Sequence, residues 1–480
     1  MLGRRHCLRL SDAINSALLT QRFSATSAQT EEIRHVKPYD EIPGPTGLTQ
    51  IPHIGIAFHL KPFTNFQKYR MNDLFASLRD KYGPVFKMHF NGVETVFVCD
   101  ADDIEKVCKA DESNPYRAPI ALIETYCKRE GEPKGLGVLN GEEWGAMRRP
   151  AQYNMLRPQN VQRYFPLVND VADDFIEKLA RKPYVPDIRK ELIGFAVENA
   201  AYLAFNRRIG CLDFEENEFV KQYSIFFESI MESFFIPPTF RIYRSKFYRK
   251  YKGSADFIYR FVESEVKKAK EELIKAQEKE DFDPDKDPHL IYQLLSDKRM
   301  SPDSVKAILV DIINAGGEST ASSSMFLLHH LASNKEVQNR LYEEINKNLP
   351  TDGILTDAAL KQMSYLKACL KESFRCVYPL PLGTERTLQE DIVLSGYLIP
   401  KNTKMGLCMN TILAKNPDLF TDPNAFRPER WMRDSLNRSK HSFATLPFGF
   451  GARSCIGQRF AEQEIHVLIA KVKLLPLKEK

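Results

Sequence analysis

Hydrophobic residues recur at helical spacing through much of the chain, from Glu142 to about Asn348, and few prolines interrupt the long segments. A spacing of three to four residues between apolar positions is typical of amphipathic α-helices. Two regions, Tyr82–Cys99 and Arg386–Met405, instead hold short alternating runs of β-branched and aromatic residues next to turn residues. Such runs indicate strands, and the first region predicts a β-hairpin or a pair of strands. The pattern therefore predicts a mainly α-helical protein with a small β region.

The chain has no internal repeat and no linker that would divide its 480 residues into independent domains. Ile42–Pro45 forms a stiff, proline-containing turn, which is typical of the entry to a folded body. Residues 37–480 are therefore expected to form a single domain.

The first 36 residues differ in character from the rest. Arg4, Arg5, Arg9 and Arg22 stand against one acid, Asp12, in a stretch rich in serine and threonine. Its apolar residues can line one face of a helix. This composition is typical of a mitochondrial transit peptide, which we predict for residues 1–36. The alternative is a disordered basic tail.

Composition and charge exclude several classes of protein. The formal net charge is only +5, and no basic stripe with interleaved aromatic residues occurs, which argues against a nucleic-acid partner. The nine cysteines are odd in number and form no C-x-x-C pair, so a disulfide framework or zinc site is not expected. No run reaches the roughly 18 apolar residues of a membrane-spanning helix. His329, His330 and His441 have no partners at metal-ligand spacing, which favours structural roles.

One cysteine, Cys455, lies in the glycine-rich run Phe448–Gly457, which leads into a predicted helix over Arg459–Ala470. Glycines let a backbone turn tightly and approach a flat ligand closely. A thiolate at the start of a helix is favoured by the helix dipole and by free N–H groups. Arg453 can add a positive charge or bind an acidic group of the ligand. These are the features that an axial thiolate ligand of haem iron requires.

Five positions of this run, namely Phe448, Gly451, Arg453, Cys455 and Gly457, resemble the haem-binding signature of the cytochrome P-450 superfamily. The resemblance implies the helix-rich fold of that family with a minor β-sheet subdomain. It also implies b-type haem (heme b) as cofactor, with its iron bound by the thiolate of Cys455.

A second motif, Glu372–Arg375, puts an acid and an arginine on one face of a helix, among apolar neighbours. It resembles the Glu-x-x-Arg motif of the family. The resemblance implies a third member, Arg430, in the segment Phe426–Trp431. We predict that Glu372, Arg375 and Arg430 form a structural, charge-assisted network that fixes the haem loop.

The run Ala315–Thr320 lies in a helical segment that begins near Ser304. Its two adjacent glycines each destabilise a helix by roughly 1 kcal/mol relative to alanine, which indicates a kink or the close approach of a ligand. The run resembles the oxygen-activation motif of the family, which implies that Glu318, Ser319 and Thr320 handle protons. Ser319 stands where threonine is usual, so the hydroxyl is kept but its rotamer is less restrained.

Three residues are similar to family residues that contact the haem propionates. Trp144 and Arg148 are four residues apart on one helix face, and Arg386 follows a proline-rich turn. An arginine suits a propionate because it donates paired, charge-assisted hydrogen bonds.

Two surface features concern partners. Lys367 and Lys371, with Arg459, resemble the patch by which mitochondrial members bind an acidic ferredoxin (adrenodoxin-like), although Gln458 replaces an arginine often found there. The aromatic and basic segment Phe226–Tyr251 is either an ordinary pair of amphipathic helices or a membrane-touching substrate entrance.

The sequence therefore predicts a haem-thiolate monooxygenase that inserts one atom of O₂ into a sterol-like, lipid or xenobiotic substrate, using ferredoxin electrons. The resemblance places it at the matrix face of the mitochondrial inner membrane. One alternative is a microsomal-type enzyme of the endoplasmic reticulum, served by a flavoprotein reductase. The other is a haem-binding protein with impaired turnover, since Ala470–Lys480 is too short for the family's usual C-terminal strand pair.

Overall fold

A computed structural model describes residues 36–67, 70–90, 92–110, 113–213, 217–277, 289–349, 354–378, 384–408, 412–433, 439 and 441–472. The transit-peptide prediction lies outside these residues except for its last position. The prediction about the C-terminal strand pair concerns residues that are mostly outside them. The assignment of residues 37–480 to one domain stays a prediction.

Helices dominate the described chain, which confirms the predicted fold class. The α-helices are α1 Met71–Tyr82, α2 Ala101–Lys109, α3 Ala121–Glu130, α4 Gly141–Met155, α5 Pro158–Arg163, α6 Phe165–Ala180, α7 Ile188–Phe205, α8 Glu218–Ser233, α9 Lys246–Gln277, α10 Leu290–Ser296, α11 Pro302–Ser333, α12 Lys335–Asn348, α13 Asp357–Gln362, α14 Ser364–Cys376 and α15 Gln458–Val472. The strands are β1 Val85–Phe90, β2 Val93–Val98, β3 Thr384–Thr387, β4 Ile392–Leu394, β5 Tyr397–Ile399 and β6 Lys404–Leu407.

Helices α7 and α11 form the centre of the helical core. Helix α11 begins where Ser301 accepts the N–H of Ser304 at 3.1 Å and proline occupies the first helical position. Helix α7 is buried on nearly all sides, as expected of a helix that is apolar around its whole circumference. The two helices approach closely because Gly316 has no side chain: a Cβ atom there would lie 3.1 Å from the Cβ of Ala200.

The strands form two sheets. One has the order β1-β2-β6-β3, and the other pairs β4 with β5. Strands β1 and β2 are antiparallel with Val85 opposite Val98, which confirms the predicted pairing in this region. Strand β6 joins β2 in parallel and β3 in antiparallel orientation. The sheet thereby positions Arg386 of β3, whose guanidinium donates to the carbonyl of Phe450, in the cysteine loop, at 3.0 Å.

The aromatic segment between α8 and α9 is not continuously helical. Helix α8 ends at Ser233 and α9 begins at Lys246, with one 3₁₀ turn at Thr239–Arg241 between them. Pro237 and Pro238 lie in this connection, and proline is disfavoured inside a helix because it has no N–H and clashes with the preceding turn. Among the residues that the structure describes, no helix is long and apolar enough to span a bilayer.

Candidate active site around Cys455

Cys455 lies at the end of a compact loop directly before α15. Gly449 and Gly451 have φ values of 74° and 72°, a region in which any other residue would be strained. The N–H of Cys455 donates to the carbonyl of Phe448 at 2.8 Å and closes the loop. The Phe448 ring packs edge-on against Phe374 of α14, with ring centroids 5.3 Å apart. The loop is therefore fixed by its own backbone and by α14.

The Cys455 residue is accessible on one side, although protein surrounds the thiol elsewhere. Burial raises the pKa of this thiol, whereas N–H groups of Gly457 and Gln458 and the guanidinium of Arg148 lower it. A coordinated metal ion would deprotonate the thiol outright. The N–H groups at the start of α15 are then suitable hydrogen-bond donors to the thiolate.

Three guanidinium groups lie close to this loop and to one another. Arg148 donates to the carbonyl of Ser454 at 2.6 Å, and burial lowers its pKa to about 10. Arg386 is buried on β3, beside Arg117. Burial, and then the charge of Arg386, lower the pKa of Arg117, whose guanidinium has no hydrogen-bond acceptor among the described residues. The charges of Asp311 and Glu385 offset this lowering of the pKa of Arg117 in part. The carboxylates of a ligand would also pair with these guanidinium groups.

Arg117 is a candidate site residue that the sequence pattern did not predict. It lies in an irregular loop, and no periodic pattern or spacing distinguishes it from a surface arginine. Its closeness to Arg386, which is 269 positions later in the chain, exists only after folding.

Arg453, predicted to add a positive charge or to bind an acidic group of the ligand, has several acceptors within the protein. Its guanidinium donates to the carbonyls of Pro115 and Leu139, at 2.9 and 2.8 Å, and to the Asn140 side chain at 2.7 Å. It also lies 4.2 Å from the ring centroid of Trp144. Arg453 therefore ties the cysteine loop to the loop before α4, and its donors are largely engaged by protein.

The predicted triad is assembled in the interior. The carboxylate of Glu372 accepts from Arg375 at 2.8 and 2.9 Å and from Arg430 at 3.1 Å. It also accepts the Trp431 indole N–H at 2.9 Å and the Arg427 backbone N–H at 2.8 Å. Glu372 is 0% exposed. This network joins α14 to the segment before the cysteine loop.

The structure separates the three residues predicted to handle protons. The Glu318 carboxylate accepts from Arg189 of α7 at 2.6 Å and from the Ser322 hydroxyl at 3.1 Å. Ser319 is partly accessible, and its hydroxyl donates to the carbonyl of Ala315 at 2.6 Å. Thr320 is buried, and its hydroxyl is hydrogen-bonded instead to the carboxyl of Glu464 on α15. Thr320 is therefore directed away from the Glu318 carboxylate.

Asp311, one turn before Ala315, holds the loop that Arg453 contacts from the other side. Its carboxylate accepts the N–H groups of Leu136 and Gly137. Gly135 fits only as glycine, since a Cβ atom there would lie 2.3 Å from an Asp311 oxygen. Burial raises the pKa of Asp311 to about 6, against these N–H donors and the charge of Arg117.

His441 has carboxylate neighbours that the sequence did not predict. Its Nε2 lies 3.1 Å from Asp102 and 3.2 Å from Glu105, both on α2. Its Nδ1 accepts the N–H of Phe443 at 3.0 Å, so the ring proton is on Nε2 and is donated to the carboxylates. Nε2 then has no lone pair for a metal ion. His441 therefore joins its own loop to α2 by hydrogen bonds, which agrees with the structural role predicted for it.

A surface cleft of about 1050 Å³ lies beside α12 and the end of α14, and its lining includes His330, Tyr365 and Phe426. Cys455 is not part of it. The ion pair of Arg340 with Glu429, at 2.8 Å, lies at its wall. The cleft is thus separate from the chemistry of the cysteine loop.

Haem b fits the residues around Cys455. Cys455 is exposed, its loop contains Gly449, Gly451 and Gly457, and the guanidinium groups of Arg117, Arg148 and Arg386 match a ligand with two carboxylates. Cys455 would hold the iron, and the arginines would hold the propionates. When bound, a thiolate-ligated haem supplies the activation of dioxygen, because sulfur donates electron density that favours O–O cleavage. The fold and the site together define a haem-thiolate protein.

Comparison with known proteins agrees. The family model for cytochrome P-450 matches residues 45–472, and the chain belongs to this family. "Probable cytochrome P-450 CYP44" of Caenorhabditis elegans is 30% identical over 467 residues, or 94% of this chain and 90% of that protein. "Sterol 26-hydroxylase, mitochondrial" of Rattus norvegicus is 26% identical over 478 residues, or 97% of this chain and 88% of the rat protein. The protein is therefore a haem-dependent monooxygenase.

Proposed function

We propose that this monooxygenase works in mitochondria, at the matrix face of the inner membrane. It receives electrons from an acidic, adrenodoxin-like ferredoxin and inserts one oxygen atom of O₂ into an apolar substrate. The observation that supports the electron donor most directly is a basic surface next to the cysteine loop. The mitochondrial relatives support the same choice.

The proposed docking surface consists of Lys367 and Lys371 of α14 and Arg459 of α15. The charges of all three cations lower the pKa of the Glu462 carboxyl, and the charge of Glu462 in turn acts on the Cys455 thiol. Burial nonetheless raises the pKa of Glu462. Lys371 and Arg459 are exposed, whereas Lys367 is half-buried and donates to the carbonyl of Lys361 at 2.7 Å. The cationic groups thus lie together on the side of the loop nearest the thiol, where an acidic carrier would bring its electron close.

We also propose that Glu318 and Ser319 deliver the protons that oxygen activation consumes. Ser319 has a partly accessible hydroxyl, and Glu318 is a carboxylate that Arg189 orients through an ion pair at 2.6 Å. Thr320 has a hydrogen-bond partner of its own in Glu464, which favours a structural role for it. The proton path therefore uses an acid and an alcohol on neighbouring faces of α11.

The ferredoxin proposal is tested by charge reversal. In the double variant Lys367→Glu, Lys371→Glu, ferredoxin-driven reduction at low salt is expected to slow about tenfold or more, since complementary charge mainly accelerates association. The rate of the wild-type protein should fall with rising salt, and the variant should lose most of this dependence. The measurement is stopped-flow reduction of the haem under carbon monoxide.

The matched control is Lys267→Glu, Lys270→Glu, which makes the same charge change on the exposed face of α9. It is expected to leave reduction unchanged. Equal reduction rates in all three proteins would rule out the patch. Efficient turnover with a flavoprotein reductase, and none with the ferredoxin, would instead establish the microsomal-type alternative.

We further propose that one apolar surface touches the membrane. Phe63 is 63% exposed and Ile242 is 84% exposed. Their two segments lie together: the charge of Arg241 acts on His53, and Phe235 packs against the core that includes Ile56 and Leu60. Exposed apolar side chains with flanking arginines suit a membrane interface. Helix α8 leads directly into this surface.

The membrane proposal predicts that Phe63→Glu, Ile242→Glu abolishes co-sedimentation with phosphatidylcholine–cardiolipin vesicles. The charged side chains would have to enter the apolar part of the interface, which is costly. Tyr184→Glu, at a position that is 75% exposed elsewhere, is the control and should bind like the wild type. Undiminished binding of the double variant would contradict the proposal.

A further inference from the structure

The hydroxyl of Tyr223, on α8, lies within the hydrogen-bond ladder of α11. It accepts the backbone N–H of Glu318 at 2.6 Å and donates to the backbone carbonyl of Asn314 at 3.0 Å. In a regular α-helix these two backbone groups bond directly to each other, because they are four residues apart. The tyrosine thus bridges the one backbone pair that precedes the acid–alcohol turn.

The local sequence of α11 is matched to this bridge. At Gly317, a Cβ atom would lie 2.6 Å from the Cζ and hydroxyl oxygen of Tyr223 and 2.8 Å from Val197. Only glycine therefore admits the tyrosine. The two glycines predicted a kink or the close approach of a ligand, and the structure places the side chain of Tyr223 against this backbone.

Tyr223 has no freedom to leave this position without moving α8. It is 0% exposed, and its ring lies near that of Phe227, one turn later, with centroids 6.5 Å apart. Burial, and then the charge of Glu318, raise the pKa of its hydroxyl, so it stays a neutral donor and acceptor. Because the Tyr223 side chain is rigid and makes both of its hydrogen bonds to α11, a displacement of α8 also displaces α11.

We propose that Tyr223 is a positioning residue for proton delivery: its hydroxyl binds the backbone of α11 at Asn314 and Glu318 and couples this turn to the position of α8. The proposal rests on the proton-delivery role proposed for Glu318 and Ser319. Helix α8 continues into the apolar surface at residues 234–243. A shift of that surface therefore changes the orientation of the Glu318 carboxylate and the Ser319 hydroxyl. Tyr223 itself transfers no proton in this scheme.

The test is Tyr223→Phe, which keeps the ring and removes only the hydroxyl. Backbone hydrogen exchange in the peptide spanning residues 314–320 is expected to rise about tenfold, because the Glu318 N–H loses its acceptor. The fraction of electrons released as hydrogen peroxide is expected to rise several-fold, while the carbon monoxide spectrum of the reduced haem stays unchanged. The control is Tyr251→Phe, since Tyr251 is equally buried and its hydroxyl has no partner in the described chain.

A second variant, Glu318→Gln, separates this proposal from the one on which it rests. If Glu318→Gln increases peroxide release and Tyr223→Phe matches the wild type in both measurements, the positioning role is overturned and proton delivery stands. If Tyr223→Phe accelerates exchange but neither variant changes peroxide release, the proton-delivery role is overturned and the functional half of the proposal fails with it. Faster exchange and higher peroxide release in Tyr223→Phe alone, relative to the Tyr251→Phe control, support the proposal.

Discussion

Replacement of Glu372 by alanine is expected to abolish recovery of folded, haem-containing protein. The substitution removes the buried carboxylate that accepts from Arg375, Arg430 and the Trp431 indole, and it leaves the two arginines with backbone carbonyls as their acceptors. Removing one partner of a buried ion pair costs about 3–5 kcal/mol, and here two arginines and the Trp431 indole lose a partner together. Stabilities of folded domains are only about 5–15 kcal/mol, so this loss removes most of the margin.

The measurement is the yield of soluble protein and the haem absorbance per mole of protein. Glu429→Ala is the matched control, because Glu429 pairs with Arg340 at 2.8 Å but is half-exposed. Exposed ion pairs contribute about 0–1 kcal/mol, so this variant should give nearly normal holoprotein. A normal yield of holoprotein from Glu372→Ala would contradict the structural role assigned to Glu372, Arg375 and Arg430.

Replacement of Glu464 by glutamine is expected to stabilise the protein increasingly as the pH rises. Burial raises the pKa of Glu464 from its ordinary value of 4.5 to about 8, and its hydrogen bond with Thr320 opposes this only in part. The unfolded chain ionises this carboxyl near 4.5 and the folded protein near 8. The stability that the neutral carboxyl confers is therefore complete below pH 4.5 and is lost as the pH rises through 8.

The wild type thus loses at most about 1.4 kcal/mol per pH unit within this window, whereas glutamine cannot ionise. The difference in melting temperature between variant and wild type should grow from pH 5.5 to 8 and level off above it. The control is Glu336→Gln, which makes the same replacement at an exposed position of α12. A constant difference for Glu464→Gln would contradict the assignment of a neutral buried carboxyl.

The features that could be predicted from the residues alone involve residues that are close together in the chain. The spacing of Glu372 and Arg375 determines that they share a helix face, and the glycines beside Cys455 determine a tight turn. Both signals act within one turn of backbone, so they can be read before folding. The arrival of Arg430 at Glu372 depends on a fold in which residues 58 positions apart meet, and only the family resemblance predicted it.

The charges and hydroxyls of the active site were the hardest part to predict. Arg453 matches the motif, but the structure directs it to loop carbonyls, since an arginine takes the acceptors nearest to it. Thr320 lies next to Ser319 in the chain, but successive helix positions point about 100° apart, and its hydroxyl therefore meets Glu464. The local sequence pattern shows which residues are present and how they are spaced. It does not show which group each side chain contacts in the folded protein.

By itself, therefore, the sequence determined the helical core, the small sheets and the tight turns of the cysteine loop, because these follow from periodicity and from residues adjacent in the chain. The assignment of Cys455 as the haem ligand rests on the resemblance to the family and stays a prediction. Tertiary structure alone decided the convergence of Arg117 with Arg386, the pairing of Glu318 with Arg189, and the bridge that Tyr223 makes in α11. These contacts join residues about 90 to 270 positions apart. Their energy is realised only when separate elements pack together, and no local spacing encodes it.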